Sequence, residues 1–172
     1  SVAIMGMGPV GLTAVAAVKA FGASNIIVTD LEANRLEAAK RLGATHAINI
    51  ANGDPHEQIL QITNGKGVDV AFETAGNPHA LRSALKAVKR GGKLAIVGLP
   101  PQDEIALNVP LIADNELDIF GIFRYANTYS QGIEFLKTTD LTSLITDKFV
   151  LEETKEALER ARVNKKESLK VI

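Results

Sequence analysis

A strand that ends in Gly-x-Gly-x-x-Gly and hands over directly to a helix leaves few folds open. Here the apolar run Val2-Ala3-Ile4-Met5 stops in Gly6-Met7-Gly8-Pro9-Val10-Gly11, and Leu12 to Phe21 then reads as a helix closed by Gly22. A second apolar run, Ile26-Ile27-Val28-Thr29, ends on Asp30. Each part of this βαβ layout has a physical task. Gly6 permits the tight turn out of the strand. Gly8 has no side chain to keep the backbone from a pyrophosphate, and Gly11 lets helix and strand pack closely. The helix N-terminus adds unpaired N–H groups and the positive end of its dipole. Asp30 can accept both ribose hydroxyls of an adenosine or cap the next helix, and the two roles can coexist. A 2′-phosphate set against this carboxylate would be repelled, so the spacing favours NAD(H). The alternative is a glycine-rich strand–helix turn with no ligand.

The rest of the chain repeats the alternation. A helix over Glu32 to Leu42 carries Leu36, Ala39 and Leu42 on one face and ends at Gly43, and His46 to Ile50 is a third strand. Asp54-Pro55-His56-Glu57 opens the next helix with a capping Asp, Pro at the first position and Glu at the capping-box position. Ile59, Leu60 and Ile62 supply its apolar residues before Asn64-Gly65. Val68 to Phe72 is a fourth strand. A helix from Asn77-Pro78 aligns Leu81, Leu85 and Val88 until Gly91-Gly92 breaks it, and Leu94 to Val97 is a fifth strand. Pro110 to Ala113 lies in a looser stretch, and Leu117 to Phe123 is a sixth strand.

Short apolar strands alternating with helices predict an α/β fold, a doubly wound parallel six-stranded sheet of the Rossmann type. Right-handed crossovers favour the order 3-2-1-4-5-6. This organisation is expected over residues 1–122. Residues 123–172 break the alternation: Asn127 caps a helix through about Lys137, Leu144 to Val150 is strand-like, Glu152 to Arg162 is a helix, and Leu169 to Ile172 is a short strand. They are expected to form a C-terminal segment that returns to a missing N-terminal part, since Ser1 leads straight into a central strand.

With 46% hydrophobic and 23% charged residues in 172, the composition is that of a soluble globular domain. Lys plus Arg total 19 against 20 Asp plus Glu, and they are scattered. No footprint for nucleic acid or an anionic membrane surface results, and no apolar run is long enough to span a bilayer. Absence of cysteine excludes disulfides and fits a reducing, cytoplasmic setting.

Ligands of a doubly wound sheet bind beyond the C-terminal ends of its strands. The candidates are therefore Gly6 to Gly11, Asp30, Glu73-Thr74-Ala75-Gly76, Val97-Gly98-Leu99 and Ile122 to Tyr125. Arg35 either stacks on the adenine or leans toward the ribose, or is a solvated surface charge. Arg124 and Tyr125 either bind a cofactor phosphate or polar substrate, or are a surface Arg and a half-buried Tyr. Glu73 is either catalytic or a carboxylate that caps or lines the pocket. His46, His56 and His79 lack metal-ligand spacing. No Tyr-x-x-x-Lys pair is present.

The motifs together resemble the cofactor-binding half of the zinc-dependent medium-chain dehydrogenases, in particular the sorbitol (L-iditol) and related polyol branch. The resemblance runs through Gly6-Met7-Gly8-Pro9-Val10-Gly11, Val28-Thr29-Asp30 with Arg35-Leu36, Arg41-Leu42-Gly43-Ala44-Thr45, Glu73-Thr74-Ala75-Gly76 and Gly92-Lys93-Leu94 into Val97-Gly98-Leu99. Its most specific piece is Phe123-Arg124-Tyr125-Ala126-Asn127-Thr128-Tyr129. It implies NAD-dependent oxidation of a secondary alcohol in a polyol to a ketose. Gly6, Gly8, Pro9, Val10 and Gly11 would then meet the cofactor, Val10 on the pyrophosphate and nicotinamide side. Asp30 and Arg35 would hold the adenosine ribose. Thr74, Val97, Gly98, Leu99, Ile122, Phe123 and Arg124 would complete the cofactor site, and Arg124 and Tyr125 would reach the substrate. The resemblance places the catalytic zinc and its ligands in an N-terminal domain outside this chain. It also implies pairing of sixth-strand edges in a homodimer or tetramer. Two rivals are a zinc-free quinone or enoyl reductase of the same superfamily and a non-catalytic NAD-sensing module.

Overall fold

The computed structural model describes residues 1–164 and 167–172. The chain divides into two compact units, Ser1–Arg124 and Tyr125–Ile172. In the first, β1 (Val2–Met5) is buried at every position. Around it lie β2 (Ile26–Asp30), β3 (His46–Asn49), β4 (Val68–Glu73), β5 (Val88–Ile96) and β6 (Asp118–Gly121). They form one sheet in the order β3-β2-β1-β4-β5-β6, parallel throughout, as the alternation predicts. The crossovers are α1 (Pro9–Ala20), α2 (Ala33–Leu42), α3 (Pro55–Ile62), α4 (Pro78–Ala87) and α5 (Val109–Asp114).

Strand residues alternate faces, and the two faces are covered by different helix pairs. Ala3, Met5 and Ile27 join Ile59 of α3 and Leu81 and Leu85 of α4 in one apolar core. Packing of α1 against α2 buries Leu12, Val15, Leu36 and Ala39. With strand order and crossover hand set, all strand C-termini open to the same edge of the sheet, where the loops of interest gather.

Several local expectations are corrected. Helix α1 begins at Pro9, ahead of its first apolar residue, because a proline ring is already set for the first helical position. Val88 does not extend the apolar face of α4. It is extended and pairs with Val68. Lys89–Gly92 then bulge out before Val70 pairs with Lys93, and the left-handed Gly91 (φ 66°) makes that bulge possible. The loose stretch around Pro110 is a helix, α5, whose first turn is capped by Asn108 Oδ1 accepting from Leu111 N–H at 3.1 Å. At six residues it is too short for an apolar period to register. β6 stops at Gly121. Ile122 N–H still donates to Ile96 carbonyl O at 2.8 Å, and then Arg124 turns left-handed at φ 55°.

The second unit contains α6 (Tyr129–Thr138), β7 (Ile145–Asp147), α7 (Thr154–Val163) and β8 (Lys170–Val171), with β7 and β8 paired in parallel. Asn127 is not the cap of α6. It sits at φ 58°, and Thr128 occupies the capping position. The predicted strand over residues 144–150 shrinks to β7, and a 3-10 turn, Leu151–Glu153, precedes α7. Asp147 ties this unit together. Its Oδ1 accepts from Arg160 Nε at 2.7 Å, and its Oδ2 accepts from Ser168 Oγ at 2.7 Å and Thr146 Oγ1 at 2.6 Å. The hydroxyls of Thr146 and Ser168, followed by the Arg160 guanidinium, hold its carboxyl down to about 2. Among the described residues no helix is long and apolar enough to cross a membrane.

Candidate functional site

The three glycines of the first turn serve three different purposes. Gly6 has φ 96°, and a Cβ there would stand 2.7 Å from Ala75 Cβ. At Gly11 a Cβ would stand 1.9 Å from Gly6 carbonyl O and 2.9 Å from Thr74 Oγ1, so only glycine lets α1 seat against the turn. At Gly8 a Cβ would meet nothing within 4 Å. Its missing side chain therefore serves open space beyond the strand ends. Pro9 and Val10 are exposed beside it. The N-terminus of α1 has no side-chain cap, which leaves its first-turn N–H groups for an incoming acceptor.

Asp30, only 8% exposed at the tip of β2, faces this turn. Its Oδ2 accepts from Met7 N–H at 2.6 Å and its Oδ1 from Glu32 N–H at 2.9 Å. The capping position of α2 is Glu32, so Asp30 is not the helix cap. It holds the glycine turn to β2 instead. Each carboxylate oxygen still has lone-pair capacity for a ribose hydroxyl.

The loop after β4 meets the turn from the other side. Thr74 Oγ1 lies 2.9 Å from Met5 carbonyl O and 2.8 Å from Gly6 carbonyl O, and shares its proton between them. Glu73 points inward and is 1% exposed. Its Oε1 accepts from Ala75 and Gly76 N–H, each at 2.9 Å. Its backbone carbonyl accepts from Val97 and Gly98 N–H, each at 2.9 Å. A Cβ at Gly98 would lie 2.2 Å from Gly76 N and 2.5 Å from Glu73 Oε2, and one at Gly76 would lie 2.7 Å from Leu99 carbonyl O. The loops after β4 and β5 are therefore in backbone contact. Burial pushes the Glu73 carboxyl above its usual range, and the amides of Ala75, Asn77, Gly76 and Gly98 pull it the other way.

Gly6, Gly8, Gly11, Asp30, Thr74, Gly98 and Leu99 are thus brought to one edge by direct contacts or along one turn. The other candidates lie further along. Arg35 is in the first turn of α2, its N–H donating to Glu32 carbonyl O at 3.1 Å. Ile122 continues the β6 pairing. The Arg124 guanidinium lies over the Phe123 ring, 4.8 Å from its centroid. Tyr125 belongs to the second unit, where it is exposed and packs edge-on against Tyr129 at 6.0 Å. His56 and His79 occupy first-turn positions in α3 and α4, their N–H groups capped by Asp54 and Asn77. Among the described residues no three His, Asp or Glu side chains are grouped to hold a metal. Sequence reasoning left the role of Glu73 open and missed the Met7 N–H. The available signal was a carboxylate at a buried strand end followed by three small residues.

A sheet of this order, with an open glycine turn and an acid at the next strand tip, defines the dinucleotide-binding α/β class. Comparison with known proteins narrows this. The chain belongs to the zinc-binding dehydrogenase family, whose pattern matches residues 9–138. Over 100% of its length it is 67% identical to a sorbitol dehydrogenase of Bacillus subtilis (strain 168), of which it covers 49%. Over 87% of its length it is 41% identical to an L-idonate 5-dehydrogenase of Vitis vinifera, of which it covers 42%. A solved structure from E. coli CFT073, described as a short chain alcohol dehydrogenase complexed with cofactor NADH, superposes with a TM-score of 0.91. It is 27% identical, covering 99% of this chain and 51% of that one. The chain spans about half the length of the curated relatives it matches. The resemblance to the polyol branch is borne out by these relatives.

Proposed function

We propose that this chain is the NAD(H)-binding portion of a zinc-dependent polyol dehydrogenase that oxidises a secondary alcohol to a ketone. One observation carries the cofactor reading. Asp30 fixes the turn at Met7, and the adjacent Gly8 is the glycine of the motif whose missing side chain opens onto free space. In this reading the N–H groups of Gly8, Val10 and Gly11 receive the pyrophosphate, with Pro9 setting the helix start and Gly6 the turn. Asp30 accepts the adenosine ribose hydroxyls, with Arg35 alongside. Val10, Thr74, Val97, Gly98, Leu99, Ile122, Phe123 and Arg124 line the nicotinamide side and exclude water from it. Arg124 and Tyr125 hold the polyol through charged and phenolic donors. Zinc, which in this reading would be held by residues outside this chain, would supply a Lewis acid to the alcohol oxygen.

The 67% identity to a sorbitol dehydrogenase supports the polyol class. The same reading includes a cytoplasmic setting, in keeping with the absence of cysteine. It also includes a homodimer or tetramer joined at β6, where Ile119, Phe120 and Ile122 present apolar side chains on an unpaired edge.

Calorimetry with NAD+ and NADP+ tests the cofactor, and tighter NADP+ binding refutes the role of Asp30. Assaying the longest natural polypeptide that carries this chain against sorbitol and L-idonate tests the substrate class. Oxidation of neither, by an enzyme that binds NAD+, refutes it.

A further inference from the structure

We propose that Glu73 is the positioning residue for the nicotinamide half of the dinucleotide, holding the backbone of Ala75 and Gly76 and, through it, that of Gly98 and Leu99. The inference rests on the reading of these loops as the nicotinamide-side wall. It assigns Glu73, which that reading leaves without a task, a role separate from that of Asp30.

A fully buried carboxylate is costly unless its oxygens are satisfied. Glu73 is surrounded by backbone donors. Its side chain takes the N–H groups of Ala75 and Gly76, and its carbonyl takes those of Val97 and Gly98. The side chain therefore holds the β4 loop through Ala75 and Gly76 and also faces the Gly98 amide of the β5 loop, whereas the carbonyl bonds belong to the backbone whatever side chain stands there. The packing leaves no slack, since neither Gly76 nor Gly98 can carry a side chain at this separation. A wall assembled before the ligand arrives spares the ordering cost that a mobile loop would impose on binding.

The glycine turn touches this loop where Gly6 packs against Ala75, but it has ties of its own. Asp30 fixes Met7, and the Thr74 hydroxyl donates to the Met5 and Gly6 carbonyls. Two buried acids thus preorganise two halves of one ligand: Asp30 the glycine turn and adenosine side, Glu73 the nicotinamide side. The two effects are separable by ligand.

The test is Glu73→Gln in the longest natural polypeptide that carries the chain. NADH is titrated by its own fluorescence, and ADP-ribose, which lacks the nicotinamide, is titrated by competition. The glutamine keeps one acceptor oxygen but places an NH2 among backbone donors. Losing one acceptor and setting an NH2 against these amides weakens NADH by about tenfold or more, while ADP-ribose binding stays within about twofold. NADH and ADP-ribose weakening together would overturn the proposal, since Glu73 would then be part of the general core. NADH binding unchanged would overturn it as well, as would a wild type that binds ADP-ribose as tightly as NADH. A wild type that binds neither ligand refutes the underlying cofactor reading and the proposal with it.

Amide exchange on the wild type supplies a second readout that does not depend on the variant folding. Ala75 and Gly76 N–H are expected to be protected in the free protein and to gain little on adding NADH. Fast exchange in the free protein, with protection only after NADH, would show that the ligand rather than Glu73 orders the loop.

Discussion

Replacing Gly8 by alanine separates ligand space from packing space within one motif. Gly8 has φ −70° and ψ −177°, a conformation open to any residue, and a Cβ there meets nothing within 4 Å. The stability effect is then a small balance. Reduced freedom of the unfolded chain contributes about 0.4–1 kcal/mol. Exchanging glycine for alanine at a helix N-cap costs a comparable amount, up to about 1 kcal/mol. The net change is expected within about 1 kcal/mol. The methyl group, however, projects into the space assigned to the pyrophosphate, and NADH affinity is expected to fall at least about tenfold, or 1.4 kcal/mol. Gly11→Ala is the control with the opposite signature. Its Cβ would stand 1.9 Å from the Gly6 carbonyl, a backbone atom that cannot rotate away, so α1 must lift off the turn at about 3 kcal/mol or more. Urea unfolding reads stability and a NADH fluorescence titration reads affinity. A Gly8→Ala protein that binds NADH as well as wild type would refute the assignment of that space. A Gly11→Ala protein with an unchanged unfolding midpoint would refute the packing argument.

Two further outcomes follow from other parts of the molecule. Asp147 carries a carboxyl lowered from 3.8 to about 2, and a depressed folded pKa contributes stability that is complete above the unfolded value and lost as pH falls through the folded one. Amide exchange in the second unit is therefore expected to accelerate between about pH 4 and pH 2, and Asp147→Asn should flatten that dependence; an unaltered acid profile counts against Asp147 as the tie of that unit. At the sheet edge, Phe120 is 45% exposed, and Phe120→Lys places a charge on the proposed pairing strand. Sedimentation is expected to show a shift to monomer, and an oligomer that survives the change would move the interface elsewhere.

Much of the fold is legible in the chain itself because its signals are local. Four- to six-residue apolar runs, Pro55 and Pro78 at helix starts, and Gly43 at a helix end mark the elements within a few residues. Handedness of the crossovers then leaves little choice in strand order. Val88 shows where such reasoning stops. It continues the apolar period of α4, yet pairing with Val68 draws it into β5, because a contact between distant segments outweighs helical periodicity. Helix α5 was hidden for a different reason, being too short for any period to accumulate.

In the candidate site the sequence by itself determined which residue types stand at the strand ends: glycines at 6, 8 and 11 and acids at 30 and 73. Only the tertiary structure decided what each one faces. It distinguished Gly8, open to ligand, from Gly11, closed against a carbonyl. It gave Asp30 the Met7 N–H, and it turned Glu73 inward onto Ala75 and Gly76. Residue type and spacing travel along the chain, whereas the partner of a buried carboxylate is set by which backbone donors the packed loops bring within 3 Å of it.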